Sequence, residues 1–472
     1  MTSSPDSRIE RDPLGELPVP GGALWGIQTE RARQNFPISG LRPLPAFVHA
    51  IVWIKKAAAL THRRTGRLET RLADAIVSAA DEILAGRHRD QFVVDPYQAG
   101  AGTSHNMNAN EVLANRANEL LGGKRGAYQP VHPNDHVNMA QSTNDTIPTA
   151  IRLAVLTSVP GLDAAMGRLA DAFAAKGKAF DGIVKSGRTH LQDATPIRLG
   201  QEFAAYGNTV QRARRRLWSA ADGLRDLGIG GTAVGTGLNA EPAYAALMVE
   251  QLRGMTGLEL RVGDDCVQLM QSMGDAAAFS GALRTYAVDL NKIASDLRLL
   301  ASGPRTGLNE IHLPAVQPGS SIMPGKVNPS VAEMVNMVCY QVLGNDLAVA
   351  AGAEAGQLEL NVMMPLIAHN LLFSMEILRN ATTVLAERCV EGIQANAAQC
   401  AYWLEQSPAL VTALAPKIGY AEAARLAKQA VAEGVTVRRL VEEKGILSGA
   451  ELEAVLDLRA MTQPGVPGKR DG

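Results

Sequence analysis

The feature that most constrains the fold is a stripe of apolar or small residues spaced alternately by four and three. It runs through Leu269, Met273, Ala276, Ser280, Leu283, Ala287, Leu290, Ala294 and Leu297. That spacing returns to one face of an α-helix and fits no strand. At 1.5 Å per residue, a helix of about thirty residues is roughly 45 Å long. A rod of that length cannot bury its stripe against itself, so several must pack side by side, within the chain and between chains. Segments 148–180, 200–227 and 331–387 also lack strand alternation. Hydrophobic residues make up 46% of the chain but aromatics only 4%, so the core must be built from Ala, Leu, Val and Met. That composition suits helix packed on helix, and the expected fold class is mainly α.

The ends of the chain read differently. Residues 1–45 are rich in Pro and Gly and are expected to be extended or looped. Helical patterns begin near Ala46 and are interrupted at Pro96, at 100–102 and over 122–134. Pro160-Gly161 should kink or split its helix. After about residue 400 the helices become shorter. Ile418-Gly419-Tyr420 opens one of them, and PGVPGKRDG is expected to be a loose tail.

A net charge of −1 gives no general attraction to nucleic acid or to an anionic membrane. The polar N-terminal sequence lacks the apolar region of a signal peptide, and no apolar run reaches the length of a membrane span. Cys266, Cys339, Cys389 and Cys400 show no metal-ligand spacing and read as free thiols in a reducing cytosol. A cytoplasmic location is expected, with no partner among membranes or nucleic acids.

Four clusters carry candidate chemistry. GSSIMPGKVNP (319–329) is a loop between helical patterns. It is not a phosphate-binding P-loop, because five residues separate its glycines and Val327 stands where Ser or Thr must contact a metal. GAGTSHNMNAN (100–110) offers Thr103, Ser104, Asn106, Asn108 and Asn110 after a glycine-rich run. QSTND (141–145) is a good N-cap sequence, and a helix N-terminus also binds carboxylates. GRTHLQD (187–193) brings Thr189 and His190, although a lone histidine is more often structural than catalytic. Together they supply hydroxyls, amides, one histidine and one lysine, which is what a small dianion needs.

These clusters, in this order and spacing, resemble the fumarase/aspartase superfamily. The similarity extends from RIERDPLGELPVPGGALWGIQTERARQNFPISG through PNDHVNMAQSTND, GRTHLQDATPIRLGQEF, GGTAVGTGLNA and ELNVMMP to IGYAEAARLAKQA. It implies a three-domain fold with a long central helix bundle, divided as 1–143, 144–398 and 399–472. It also implies a homotetramer whose active sites draw on several subunits. Within the family, LPAVQPGSS, AGAGTS, QSTND and EAGQLELN are similar to the ammonia-lyase branch rather than the hydratase branch. Met364 and Ala415 depart from that branch, which often has Glu and Asn there.

The implied reaction is reversible removal of ammonia from a small dicarboxylate amino acid, with no metal and no organic cofactor. Ser320 is implied as general base, and His190 is implied as a second catalytic residue. Thr103, Ser142, Thr143 and Ser321 are implied to hold the β-carboxylate, and Thr189, Lys326 and Asn328 the α-carboxylate. Asn144 and His190 are implied to orient the amino group. The rival readings are a hydratase of the same family and an inactive structural tetramer of lyase fold.

Overall fold

The computed structural model describes residues 7–469. The last three residues of the tail expected to be loose lie outside them. The fold is mainly α, as expected, but residues 7–45 are more regular than their composition suggests, and residues 1–6 lie outside the described residues. Strands β1 (Ser7–Asp12) and β2 (Gly15–Pro20) form an antiparallel hairpin, followed by helix α1 (Ile27–Asn35). Helices α2 (Pro45–Arg64), α3 (Thr70–Leu84) and α4 (Thr103–Leu120) follow. The N-terminus of α1 is capped from outside by Glu111 of α4. That carboxylate accepts the N–H groups of Gly26, Gln28 and Thr29 and the Thr29 hydroxyl, at 2.6–3.1 Å. Orphan donors at a helix start thus meet a carboxylate 85 residues away in sequence, which no local pattern reveals.

Helix α5 (Thr143–Ala179) runs for 37 residues without a break, through both Pro148 and Pro160. The expected split at Pro160-Gly161 does not occur. Val155, Val159, Leu162 and Met166 are all 1% exposed or less, so burial on both sides of the proline offsets its lost hydrogen bond. A hairpin of β3 (Val184–Thr189) and β4 (Gln192–Arg198) leads into α6 (Leu199–Asp222). After α7 (Tyr244–Thr256) and the short α8 (Cys266–Gln271) comes α9 (Gly274–Leu300), then α10 (Ser330–Glu354) and α11 (Met364–Arg388). Asn361 separates the last two. Its amide donates to the carbonyls of Gly352 and Ala353 near the end of α10, and its Oδ1 accepts the Met363 N–H just before α11. Five shorter helices complete the chain: α12 (Ala397–Gln406), α13 (Val411–Ile418), α14 (Tyr420–Glu433), α15 (Val437–Glu443) and α16 (Gly449–Val455).

The chain divides into two compact units. The first comprises 1–163, 215–287 and 340–379, and the second 164–214, 288–339 and 380–472. In the first, α2 packs on α3, α4 and α7. In the second, the β3–β4 hairpin packs on α12, while Leu414, Leu426, Leu440 and Val455 form the core of the C-terminal helices. Cys339, Cys389 and Cys400 are buried free thiols, whose pKa burial pushes up to about 12. Among the described residues, no helix is long and apolar enough to cross a membrane.

The apolar stripe of α8 and α9 corrects one expectation. Every member from Leu269 to Leu297 is 5% exposed or less, so the single chain covers it. The uncovered apolar face lies on α10 instead. There Met337, Tyr340 and Leu347 are 64%, 58% and 72% exposed, and Gly344 and Ala351 continue the same spacing. Periodicity locates a buried face but does not say whether the chain or a partner buries it.

One ion pair in the first unit makes a stability prediction. Glu82 of α3 accepts Arg116 Nε and Nη2 of α4 at 2.6 and 2.9 Å, and this guanidinium holds the carboxyl pKa down at about 2. Charge-assisted hydrogen bonds of this kind contribute about 1.5–3 kcal/mol. A depressed carboxylate stabilises the fold above its ordinary pKa, and that contribution is lost as pH falls through the folded value. The margin of the wild type over Glu82→Gln in urea unfolding should therefore be full above about pH 4.5 and shrink towards pH 2. A margin independent of pH would exclude an ionic origin.

Candidate active site

In the first unit the candidate residues Ser142, Thr143 and Asn144 stand at the start of α5. Ser142 precedes the helix; its Oγ accepts the Asn144 N–H at 3.2 Å and its carbonyl accepts the Thr146 N–H. Asp145 returns the cap by accepting the Ser142 N–H at 2.9 Å. Its other oxygen accepts the N–H groups of Gly230 and Thr232, at 3.0 and 3.1 Å. The GGTAVGTGLNA loop is thereby fastened to the helix start. Asn144 Nδ2 donates to the Ala233 carbonyl at 2.7 Å, which leaves Asn144 Oδ1 as an acceptor. Thr103 is exposed at the start of α4, just after Ala101 and Gly102, which both take positive φ.

Beneath this surface lies a lysine that the sequence reading missed. Lys55 of α2 is 0% exposed, and its ammonium donates to Asn106 Oδ1, Asn138 Oδ1 and Gln141 Oε1 at 2.7–2.9 Å. Burial pulls the pKa of this ammonium down to about 7 and pushes that of the Asp145 carboxyl up to about 6, and each charge opposes the shift of the other. Asn138 and Gln141 were visible within PNDHVNMAQSTND, but Lys55 sits in an ordinary helical run with no signal of its own.

In the second unit, Thr189 and His190 stand exposed at the tip of the β3–β4 hairpin. His190 and Leu191 both adopt positive φ, 56° and 58°, in a turn that contains no glycine. Non-glycine residues are uncommon there, and such strain concentrates at functional sites. His190 lines a cavity of about 510 Å³ with Arg188, Glu202, Tyr206 and Asp296. The hairpin is anchored by buried charges that sequence reasoning also missed. Lys185 meets Glu202 and Glu310 at 2.9 and 3.1 Å, and Arg188 meets Glu310 at 2.8 Å.

Ser320, Ser321, Lys326 and Asn328 share one closed loop. The Gly319 N–H donates to the Lys326 carbonyl at 2.8 Å, and Asn328 Nδ2 donates to the Gly319 carbonyl at 2.6 Å. A Cβ on Gly319 would stand 2.4 Å from the Lys326 oxygen, so only glycine fits this closure. Ser320 Oγ accepts the N–H groups of Ile322 and Met323 at 3.3 and 2.9 Å. Two aligned backbone donors favour negative charge on that oxygen. Ser321 and Lys326 are exposed on the same loop. Within the second unit, no hydrogen bond among the described residues joins the loop to the hairpin tip.

The family model for lyases matches residues 15–344, and the model for the fumarase C C-terminus matches 410–463. The chain is 50% identical to an aspartate ammonia-lyase of Pseudomonas fluorescens, over 98% of both chains. It is 52% identical to a class II fumarate hydratase of Halobacterium salinarum, also over 98% of both. Among solved structures it resembles a fumarate lyase:delta crystallin from Brucella melitensis, at 52% identity and a TM-score of 0.93, covering 97% of this chain and 100% of that one. A class II fumarase from Schistosoma mansoni gives the same TM-score at 36% identity, with 97% and 99% covered. Matches of this length and identity show the family, and the chain belongs to the lyase family of the fumarase/aspartase superfamily.

Proposed function

We propose that this chain is a cytoplasmic aspartate ammonia-lyase that converts L-aspartate reversibly into fumarate and ammonia. The observation that carries the reading is Asn144. Its amide nitrogen is committed to Ala233, so its oxygen is left to serve substrate as an acceptor. An ammonium group has donors only and needs such acceptors. Several of the relatives are named aspartate ammonia-lyase, which agrees. A fumarate hydratase is the second reading, because a relative of that name is 52% identical.

The difficult step is removal of a Cβ proton beside a carboxylate that is already negative. Ser320, as alkoxide, takes that proton, and the electron pair moves into the carboxylate to give an enediolate. Thr103, Ser142, Thr143 and Ser321 donate to this carboxylate, and their bonds strengthen as its second charge develops. Lys326, Asn328 and Thr189 hold the α-carboxylate. Collapse of the enediolate forms the C=C bond and expels the amine, which Asn144 and His190 orient. The N–H groups of Ile322 and Met323 are what make a serine hydroxyl usable as a base. Parallel incubations with L-aspartate and L-malate, followed by fumarate absorbance, test this. Fumarate should form from aspartate; formation from malate alone supports the hydratase, and from neither the inactive structural tetramer.

The same reading includes a homotetramer with sites shared between subunits. It rests on the uncovered α10 face rather than on the α9 stripe. Leu347→Glu should convert the tetramer to smaller species in light scattering, since burying an unpaired charge in an interface is strongly unfavourable. An unchanged mass would remove this face from the interface.

A further inference from the structure

Lys55 is hard to explain as packing. Its ammonium is wholly buried and held by three neutral amide oxygens, with no carboxylate among its hydrogen-bond partners. Burying a charge in such surroundings is strongly unfavourable. An apolar side chain of similar length would fill the space between α2 and α4 without that cost. The charge does, however, fix the direction of each amide it touches. With Asn106 Oδ1 turned to Lys55, Asn106 Nδ2 faces the other way and donates to Asn138 Oδ1 at 3.1 Å and to Thr143 Oγ1 at 3.4 Å. With Gln141 Oε1 also turned to Lys55, Gln141 Nε2 donates to the carbonyls of Val137 and Met139. That pins the segment leading into α5. Thr143 Oγ1 therefore accepts from behind, and its own hydrogen is left to point forward as a donor. A hydroxyl that accepts from a polarised amide is also a stronger donor.

We propose that Lys55 is a positioning residue that acts through Asn106 to set the Thr143 hydroxyl as a hydrogen-bond donor to the substrate carboxylate. This rests on the reading of Thr143 as a carboxylate contact in the proposed reaction. The relay matters most where negative charge grows, so its loss lowers kcat more than it raises KM. A lysine needed only for packing would instead lower thermal stability and leave turnover per folded molecule unchanged.

The test is a double-mutant cycle in the full-length protein with Lys55→Met, Thr143→Val and the pair, since coupled residues show non-additive effects. Lys55→Met should lower kcat for L-aspartate about tenfold in the wild-type background and less than about twofold in the Thr143→Val background. Equal losses in both backgrounds overturn the relay. If Lys55→Met does not fold, Asn106→Ala takes its place in the cycle with the same two outcomes. Wild-type protein inert towards aspartate overturns the proposed reaction and not the relay. The cycle is then read from calorimetric affinity for succinate, where the same coupling is expected and its absence is decisive.

Discussion

Ser320→Ala should lower turnover by about 10²–10⁴-fold, the usual contribution of a single general base, while the mutant still binds succinate. The expectation follows from the loop around this residue. Its Oγ accepts two backbone N–H groups, and the loop is closed by Gly319 and Asn328 through bonds that do not involve the serine side chain. Removing the hydroxyl should therefore leave the loop in place and delete only the proposed proton acceptor. Ser321→Ala is the useful comparison. In the proposed reaction it removes a donor to the carboxylate and not the base, so its loss should be smaller. Near-normal turnover in Ser320→Ala would take the base away from this residue.

Lys326→Ala should lower kcat/KM by about 2–5 kcal/mol, the typical cost of truncating one partner of a desolvated charge pair. Part of the loss should appear as a raised KM, because Lys326 is assigned to the α-carboxylate, which keeps its charge throughout the reaction. Its backbone closes the loop by accepting the Gly319 N–H, whereas its side chain is exposed and takes no part in that closure. The substitution should thus spare the loop. Lys326→Arg should also be poor, since a planar guanidinium does not replace a compact ammonium in a site shaped for it. An unchanged KM for aspartate would remove Lys326 from the substrate.

How much of this was legible in the sequence depends on how local each cause is. The long helices were legible because a repeat of threes and fours lies within a few turns. The N-cap at Ser142 was legible for the same reason, and the closed loop at 319–329 announced itself by its glycines. Continuity of α5 through Pro160 was not legible, because it depends on burial of Val159 and Leu162 by distant segments. Helix α1 was missed because its cap is Glu111, far along the chain. Lys55 was missed because a lysine inside a helical run normally faces water, and only the fold turns this one inward. Strand β2 was hidden by its glycine and prolines, which composition assigns to loops, and β1 by its inverted burial, with Ile9 exposed and Glu10 buried.

In the proposed reaction ammonia, and not water, adds across the double bond of fumarate. This claim is tested most directly by incubating the purified protein with fumarate, with and without ammonium, and identifying the product by NMR. The expected product is L-aspartate in the presence of ammonium, with negligible malate in its absence. Malate formed at a comparable rate without ammonium would contradict the claim and assign the chain to the hydratases.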